Sequence, residues 1–213
     1  MTFVPDISTL LQFGVATVIL ALTPGPDMTL FVSRALSQGR GAGFASMAGA
    51  FTGILIHTTL VAVGISALIV AAPMAFLALK ILGAAYLVYL AWHALSKGSA
   101  FTPATGREPR LSLARSFSAG LGVNLLNPKI ILFFMTFLPQ FVSAHDPHAP
   151  AKLFFLGLLF IAISIPITAP VILAAERFSA AMKANPKVTR VIDYLLAGVF
   201  SAFALKILAA QTK

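Results

Sequence analysis

The sequence predicts an all-α integral membrane protein: six transmembrane helices forming two inverted three-helix repeats, with helices 1 and 4 broken. Three observations carry this expectation. The 213 residues are 59% hydrophobic and only 10% charged, with a mean hydropathy of +0.95, whereas a soluble domain of this size needs a more charged surface. The apolar runs are continuous over about 20 residues, as membrane helices require, and do not alternate as barrel strands do. Two runs are interrupted by proline at corresponding places in the two halves, a pattern of inverted-repeat secondary transporters.

The opening, MTFVPDIS, has no basic region or cleavage site, so the first apolar run is expected to stay as a span. Span 1 (8–32) contains TPGPD at 23–27. Span 2 (44–71) carries Ala45, Gly49 and Gly53, a small-residue face for close helix packing. Span 3 (74–95) follows the Ala72-Pro73 corner as a tight hairpin. The polar stretch KGSAFTPATGREPR (97–110) reads as a linker. The chain is therefore one transmembrane domain over 1–213, with repeat one at about 8–95, a linker at about 96–114 and repeat two at about 115–210. Span 4 (115–139) contains NLLNPK at 124–129. Span 5 (152–175) holds Pro166 and Pro170, which kink or hinge it. Span 6 covers 190–210.

Charge sets the orientation. Arg34 and Arg40 fall in loop 1, Lys97, Arg107, Arg110 and Arg115 in loop 3, and Arg177, Lys183, Lys187 and Arg190 in loop 5. The opposite side has Lys80, Lys152, Lys206 and Lys213. Loops 1, 3 and 5 are thus expected to be cytoplasmic and both termini outside. The net charge of +9 then belongs to cytoplasmic loops and anionic lipid headgroups rather than nucleic acid. Cysteine is absent, which removes disulfide and thiolate chemistry.

Pro26-Asp27 and Pro128-Lys129 each open the second part of a broken span, 102 positions apart. Proline suits the first position of a helix. Gly25 or Thr23 can cap the helix at Pro26, and Asn127 the helix at Pro128. Asp27 agrees with its helix dipole and Lys129 opposes its own. Each charge costs about 2.5–3.5 kcal/mol at a span centre. Three readings stand: a structural ion pair between the repeats, two groups snorkelling to an interface, or a substrate and proton site. In the third, Asp27 holds an α-ammonium, while Lys129 and the half-helix N-termini hold an α-carboxylate. Thr23, Gly25, Asn124 and Asn127 would complete the substrate site, and Asp27 leads for proton coupling.

TPGPDMTLFVSRALSQGRGAG (23–43), NLLNPKIILFFMTFLPQF (124–141) and the region 60–95 resemble the LysE/RhtB family of amino-acid exporters. The resemblance covers essentially the whole chain. It implies a six-helix transporter in the bacterial cytoplasmic (inner) membrane, exporting an amino acid or close derivative, driven by the proton gradient. Many members carry Asn where this chain has Asp27, which implies that a titratable group there is not a family-wide requirement.

His57 reads either as a packed histidine or as a second proton-coupling candidate. Asn124 and Asn127 can share one helix face. GRGAG (39–43) follows no strand and is a weak nucleotide motif. His145, Asp146 and His148 read as a short outward loop before a metal site. The leading expectation is a secondary exporter by alternating access, with no cofactor, no metal site and no enzymatic activity. Its partners would be the amino acid, protons and membrane lipids, and the glycine faces would permit a homo-oligomer. A cation exporter and, behind it, a membrane-embedded enzyme using Asp27 and His57 remain the alternatives.

Overall fold

The computed structural model describes residues 4–71, isolated helical positions between 74 and 96, and residues 111–143 and 146–209. The expected third span falls largely outside these residues. The Ala72-Pro73 corner, linker residues 97–110, His145 and Lys213 fall wholly outside them. Among the described residues the regular structure is entirely helical.

Helix α1 (Ile7–Leu22) starts where Asp6 accepts a hydrogen bond from the Thr9 N–H at 2.9 Å, a side-chain N-cap. Ile7, Leu11, Val15, Val18 and Leu22 recur every three or four residues and are all exposed. In water such a stripe would be buried; its exposure is what a membrane helix requires. Two prolines stop the helix. After a bend of 49°, α2 runs over Pro26–Gln38. Loop 1 is shorter than expected. Gly39 alone, with φ +94°, separates α2 from α3 (Arg40–Ala71). That left-handed conformation favours glycine, so helix continues on both sides of one residue.

Helix α4 (Leu113–Leu126) begins with Ser112 accepting from the Arg115 N–H. It stops at Asn127, where the chain bends by 57°. Beyond lie α5 (Pro128–Leu132), a π turn (Phe133–Phe137) and a 3-10 turn (Leu138–Phe141). Helix α6 (Ala149–Leu173) carries both Pro166 and Pro170. Loop 5 is not a loop: AERFSAAMKA forms α7 (Ala175–Ala184), with Ala175 and Ser179 buried and Glu176 and Arg177 exposed. Four alanines make this a good local helix former, which charge counting does not see. Helix α8 covers Pro186–Ala209.

Among the described residues, the segments 40–64 and 149–173 are each long and apolar enough to cross a bilayer, and counting each bent pair, Ile7–Leu22 with Pro26–Gln38 and Leu113–Leu126 with Pro128–Phe141, as one span gives four. The closest crossing is α3 on α4. A methyl added at Gly49 would meet the Phe117 carbonyl oxygen, and one at Gly120 the Ser46 carbonyl oxygen. The backbones touch because neither residue has a Cβ, and the Ser46 hydroxyl donates across the crossing to the Ser116 carbonyl at 3.0 Å. Helix α3 also packs on α2 and α6, and α1 on α6 and α8.

The core beyond the second break is aromatic. Phe133 stacks on Phe137 at 4.6 Å, Phe13 meets Phe141 edge-on at 5.3 Å, and Phe134 meets Phe160 at 5.3 Å. Pairs of this kind add about 0.5–1.5 kcal/mol each beyond burial. They clamp the irregular π and 3-10 turns between α1 and α6, and so fix the direction in which α5 starts.

Candidate functional site

The two breaks meet, and each is completed by residues of the other. Asp27 sits in the first turn of α2, where an acid suits the helix dipole. Its Oδ2 accepts from Asn127 Nδ2 at 2.9 Å and Asn124 Nδ2 at 3.2 Å. Asn127 also caps α5, its Oδ1 accepting from the Lys129 N–H at 3.1 Å. That bond fixes the amide's orientation and turns its NH2 toward Asp27.

Lys129 opposes the dipole of its own short helix, yet its Nζ reaches back across the breaks. It donates to the Thr23 carbonyl at 3.3 Å. Thr23 is the C-cap of α1, where carbonyls lack helical partners and the dipole is negative. The lysine is therefore placed for the end of α1, not for α5. Gly25 makes this possible. Its backbone is extended, with φ −166°, a conformation open to any residue, but a Cβ there would lie 2.9 Å from Lys129 Nζ. Among the described residues Asp27 and Lys129 form no ion pair; each takes other partners.

Between the breaks lies a cavity of about 60 Å³. Its polar lining includes Thr23, Asp27, Asn124, Lys129, Ser164 and Thr168, and its apolar lining includes Leu20, Phe31, Ala50, Phe51, Ile54 and Phe160. Three buried polar atoms on these residues have no hydrogen-bond partner: Asp27 Oδ1, Asn124 Oδ1 and Ser164 Oγ. A buried acceptor left unsatisfied costs about 1–3 kcal/mol, and more when charged. All three belong to residues that line this one cavity.

The structure thus brings Thr23, Gly25, Asp27, Asn124 and Lys129 to one cavity, with Asn127 behind them holding Asp27. His57 is buried but outside that lining. Its ring lies 6.2 Å from Phe134, and its Nε2 has no partner. Sequence reasoning missed Ser164 and Thr168. Their signal is a spacing: Phe160, Ser164, Thr168 and Ile172 recur every four residues of α6, so they share a face.

No three His, Cys, Asp or Glu side chains converge to hold a metal among the described residues. Asp146, weighed above with two histidines, is bonded instead to Lys152 Nζ and to the His148 N–H. These bonds, the lysine's first, hold its carboxyl below the ordinary carboxylate range.

The family model described as LysE type translocator matches residues 18–211. The chain belongs to the LysE type translocator family. Among similar proteins, a leucine efflux protein of Salmonella typhimurium is 28% identical over 203 residues, covering 93% of both chains. A homoserine/homoserine lactone efflux protein of the same organism is 31% identical over 185 residues, covering 85% of this chain and 87% of the relative. No solved structure matches. With its apolar helices, this LysE chain is a membrane transporter.

Proposed function

We propose that this LysE chain exports a small neutral amino acid, or a close derivative, from the bacterial cytoplasm. One observation carries the reading: a carboxylate with a free buried oxygen and a lysine line the same cavity from different halves of the chain. A zwitterion has the matching charges. Its ammonium would donate to Asp27 Oδ1 and Asn124 Oδ1. Its carboxylate would accept from Lys129 Nζ and the Ser164 hydroxyl. The side chain would lie against Leu20, Phe31, Phe51 and Ile54, an apolar wall that disfavours a charged cargo. Two relatives named for leucine and homoserine efflux support the substrate class.

Size bounds the cargo. At roughly 10–15 Å³ of probe-occupied volume per water, 60 Å³ accommodates about four to six water-sized groups. A small amino acid has about that many heavy atoms, and a larger one requires the walls to part.

Transport would proceed by alternating access, the two three-helix repeats rocking around the breaks. The arginine-rich ends of the helices face the cytoplasm in this reading. Asp27 is the group proposed to take up and release the coupling proton, with His57 the second candidate. A cation exporter is weaker, because the cavity lining offers one carboxylate, too few hard ligands for a divalent ion.

The test is efflux of a panel of preloaded amino acids from cells at matched membrane expression, with and without a protonophore. Wild type should export neutral amino acids, the protonophore should slow it, and Lys129→Ala should export none. Asp27→Asn should lose the response to the protonophore. Export of acidic or basic amino acids alone, or of none, would sink the reading.

A further inference from the structure

A second cavity, of about 380 Å³, opens between α2, α6 and α7. Its lining includes Ala35, Arg40, Ile172, Glu176 and Arg177. Arg40, Glu176 and Arg177 are exposed, so this space is wet and carries charges of both signs. It shares no lining residue with the inner cavity.

The two cavities nevertheless lie along the same helices. On α6 the four-residue ladder passes from Ser164 and Thr168, which line the inner cavity, to Ile172, which lines the outer one. On α2, Phe31 lines the inner cavity and Ala35, one turn on, the outer. Between them lies an apolar cluster of Phe31, Ala50 and Ile172, exposed by 4%, 1% and 0%, and beside it a second of Met28, Val32 and Ala175. Gly43 backs it: a Cβ there would lie 2.9 Å from Ile172 Cγ2.

We propose that the outer cavity is the cytoplasmic entrance to the inner one, and that Ile172 packed on Phe31 is the closed gate between them. The entrance carries opposite charges, so a zwitterion can be received there before it meets the breaks. The gate is a small apolar packing of α2 against α6, which excludes water but opens by a displacement of α6. That helix is built to yield at this point. Pro166 and Pro170 flank Thr168 and have no N–H, so the carbonyls of Ala162 and Pro166 lose their helical donors. The inference rests on the reading that the inner cavity holds substrate. Its test does not, because a thiol reagent reports the barrier whatever the cargo.

The chain contains no cysteine, so single cysteines can be introduced without background. Thr168→Cys would lie inside the gate and Arg177→Cys outside it. Full-length protein in inside-out membrane vesicles is labelled with a membrane-impermeant maleimide. The expected result is fast labelling of Arg177→Cys and slow labelling of Thr168→Cys. Adding Ile172→Ala or Phe31→Ala should speed labelling of Thr168→Cys by about tenfold or more, because a truncated side chain no longer seals the closed state. In right-side-out vesicles the same substitutions should leave Thr168→Cys slow. Either of two results overturns the proposal. One is an unchanged Thr168→Cys rate in both double variants while Arg177→Cys still labels. The other is equal acceleration from both sides, which means a loosened protein rather than an opened gate.

Discussion

The crossing of α3 on α4 gives a sharp prediction for Gly49→Ala. The new methyl would fall on the Phe117 carbonyl oxygen, which is backbone and cannot swing away. The helices must then part by about 1 Å or more to restore ordinary contact. Overpacking of this kind costs about 1–3 kcal/mol. Separation also breaks the Ser46–Ser116 hydrogen bond, a further cost of about 0.5–1.5 kcal/mol. Alanine's better helix propensity returns about 1 kcal/mol, leaving a net loss of about 0.5–3.5 kcal/mol. For a chain of this size each kcal/mol moves the midpoint by about 2–4 °C. Thermal unfolding in detergent should therefore place Gly49→Ala roughly 1–14 °C below wild type. Gly120→Ala should behave alike, and the double variant should lose less than the sum, since one separation relieves both clashes. Gly64 and Gly122 provide the control. Nothing lies within 4 Å of a Cβ at either, so Gly64→Ala and Gly122→Ala should be neutral or slightly stabilising. A Gly49→Ala midpoint no lower than that of Gly64→Ala would refute the reasoning.

Other consequences follow from the same geometry. Gly53→Ala places a methyl 2.6 Å from Asn124 Oδ1; it should push the amide from Asp27 and slow efflux more than it lowers the midpoint, as paired transport and unfolding measurements will tell. Asn124→Ala leaves Asp27 with Asn127 as its amide partner and should cost about 1–3 kcal/mol, read from the midpoint of the purified protein. Lys129→Met keeps the length but leaves the Thr23 carbonyl without its donor; transport should be abolished while Lys129→Arg retains a trace, checked by efflux at matched expression. Outside the bilayer, the lowered pKa of Asp146 stabilises the fold above its unbonded value of 3.8, and that contribution disappears as pH falls through the depressed value. Asp146→Asn should accordingly unfold below wild type at neutral pH and match it in strong acid, in melts across pH.

The breaks were legible because their chemistry is local. Proline suits the first position of a helix, and glycine or asparagine before it is a cap, so TPGPD and NLLNPK read as helix starts inside an apolar run, whereas Pro166 and Pro170, with no such cap, sit within α6. Their meeting was legible from the matching offset of two costly charges. The partnership was not. Asp27 and Lys129 do not pair with each other; Asp27 Oδ2 is held by Asn127 and Lys129 by the Thr23 carbonyl, each at the other broken helix, and a backbone partner leaves no trace in sequence. Ser164 and Thr168 were overlooked because hydroxyls are common in apolar helices, where they bond back to their own turn, as Thr58 does to the Ile54 carbonyl at 2.8 Å. Gly49 and Gly53 read as packing, yet Gly53 also makes room for the Asn124 side chain beside the cavity, a role visible only once α4 is in place. Helix α7 was hidden inside a run of loop charges.

The measurement closest to the central claim is ligand-dependent thermal stabilisation of the purified protein by a panel of neutral amino acids. At a concentration about 100 times Kd, binding to the folded state adds about 2.7 kcal/mol, a midpoint rise of about 5–11 °C. Wild type should show that rise with at least one member of the panel. Asp27→Ala and Lys129→Met, each folded with a cooperative transition of its own, should show none. A rise in either variant equal to that of wild type would mean that the zwitterion binds elsewhere, and that the two broken helices are bent for some purpose other than holding it.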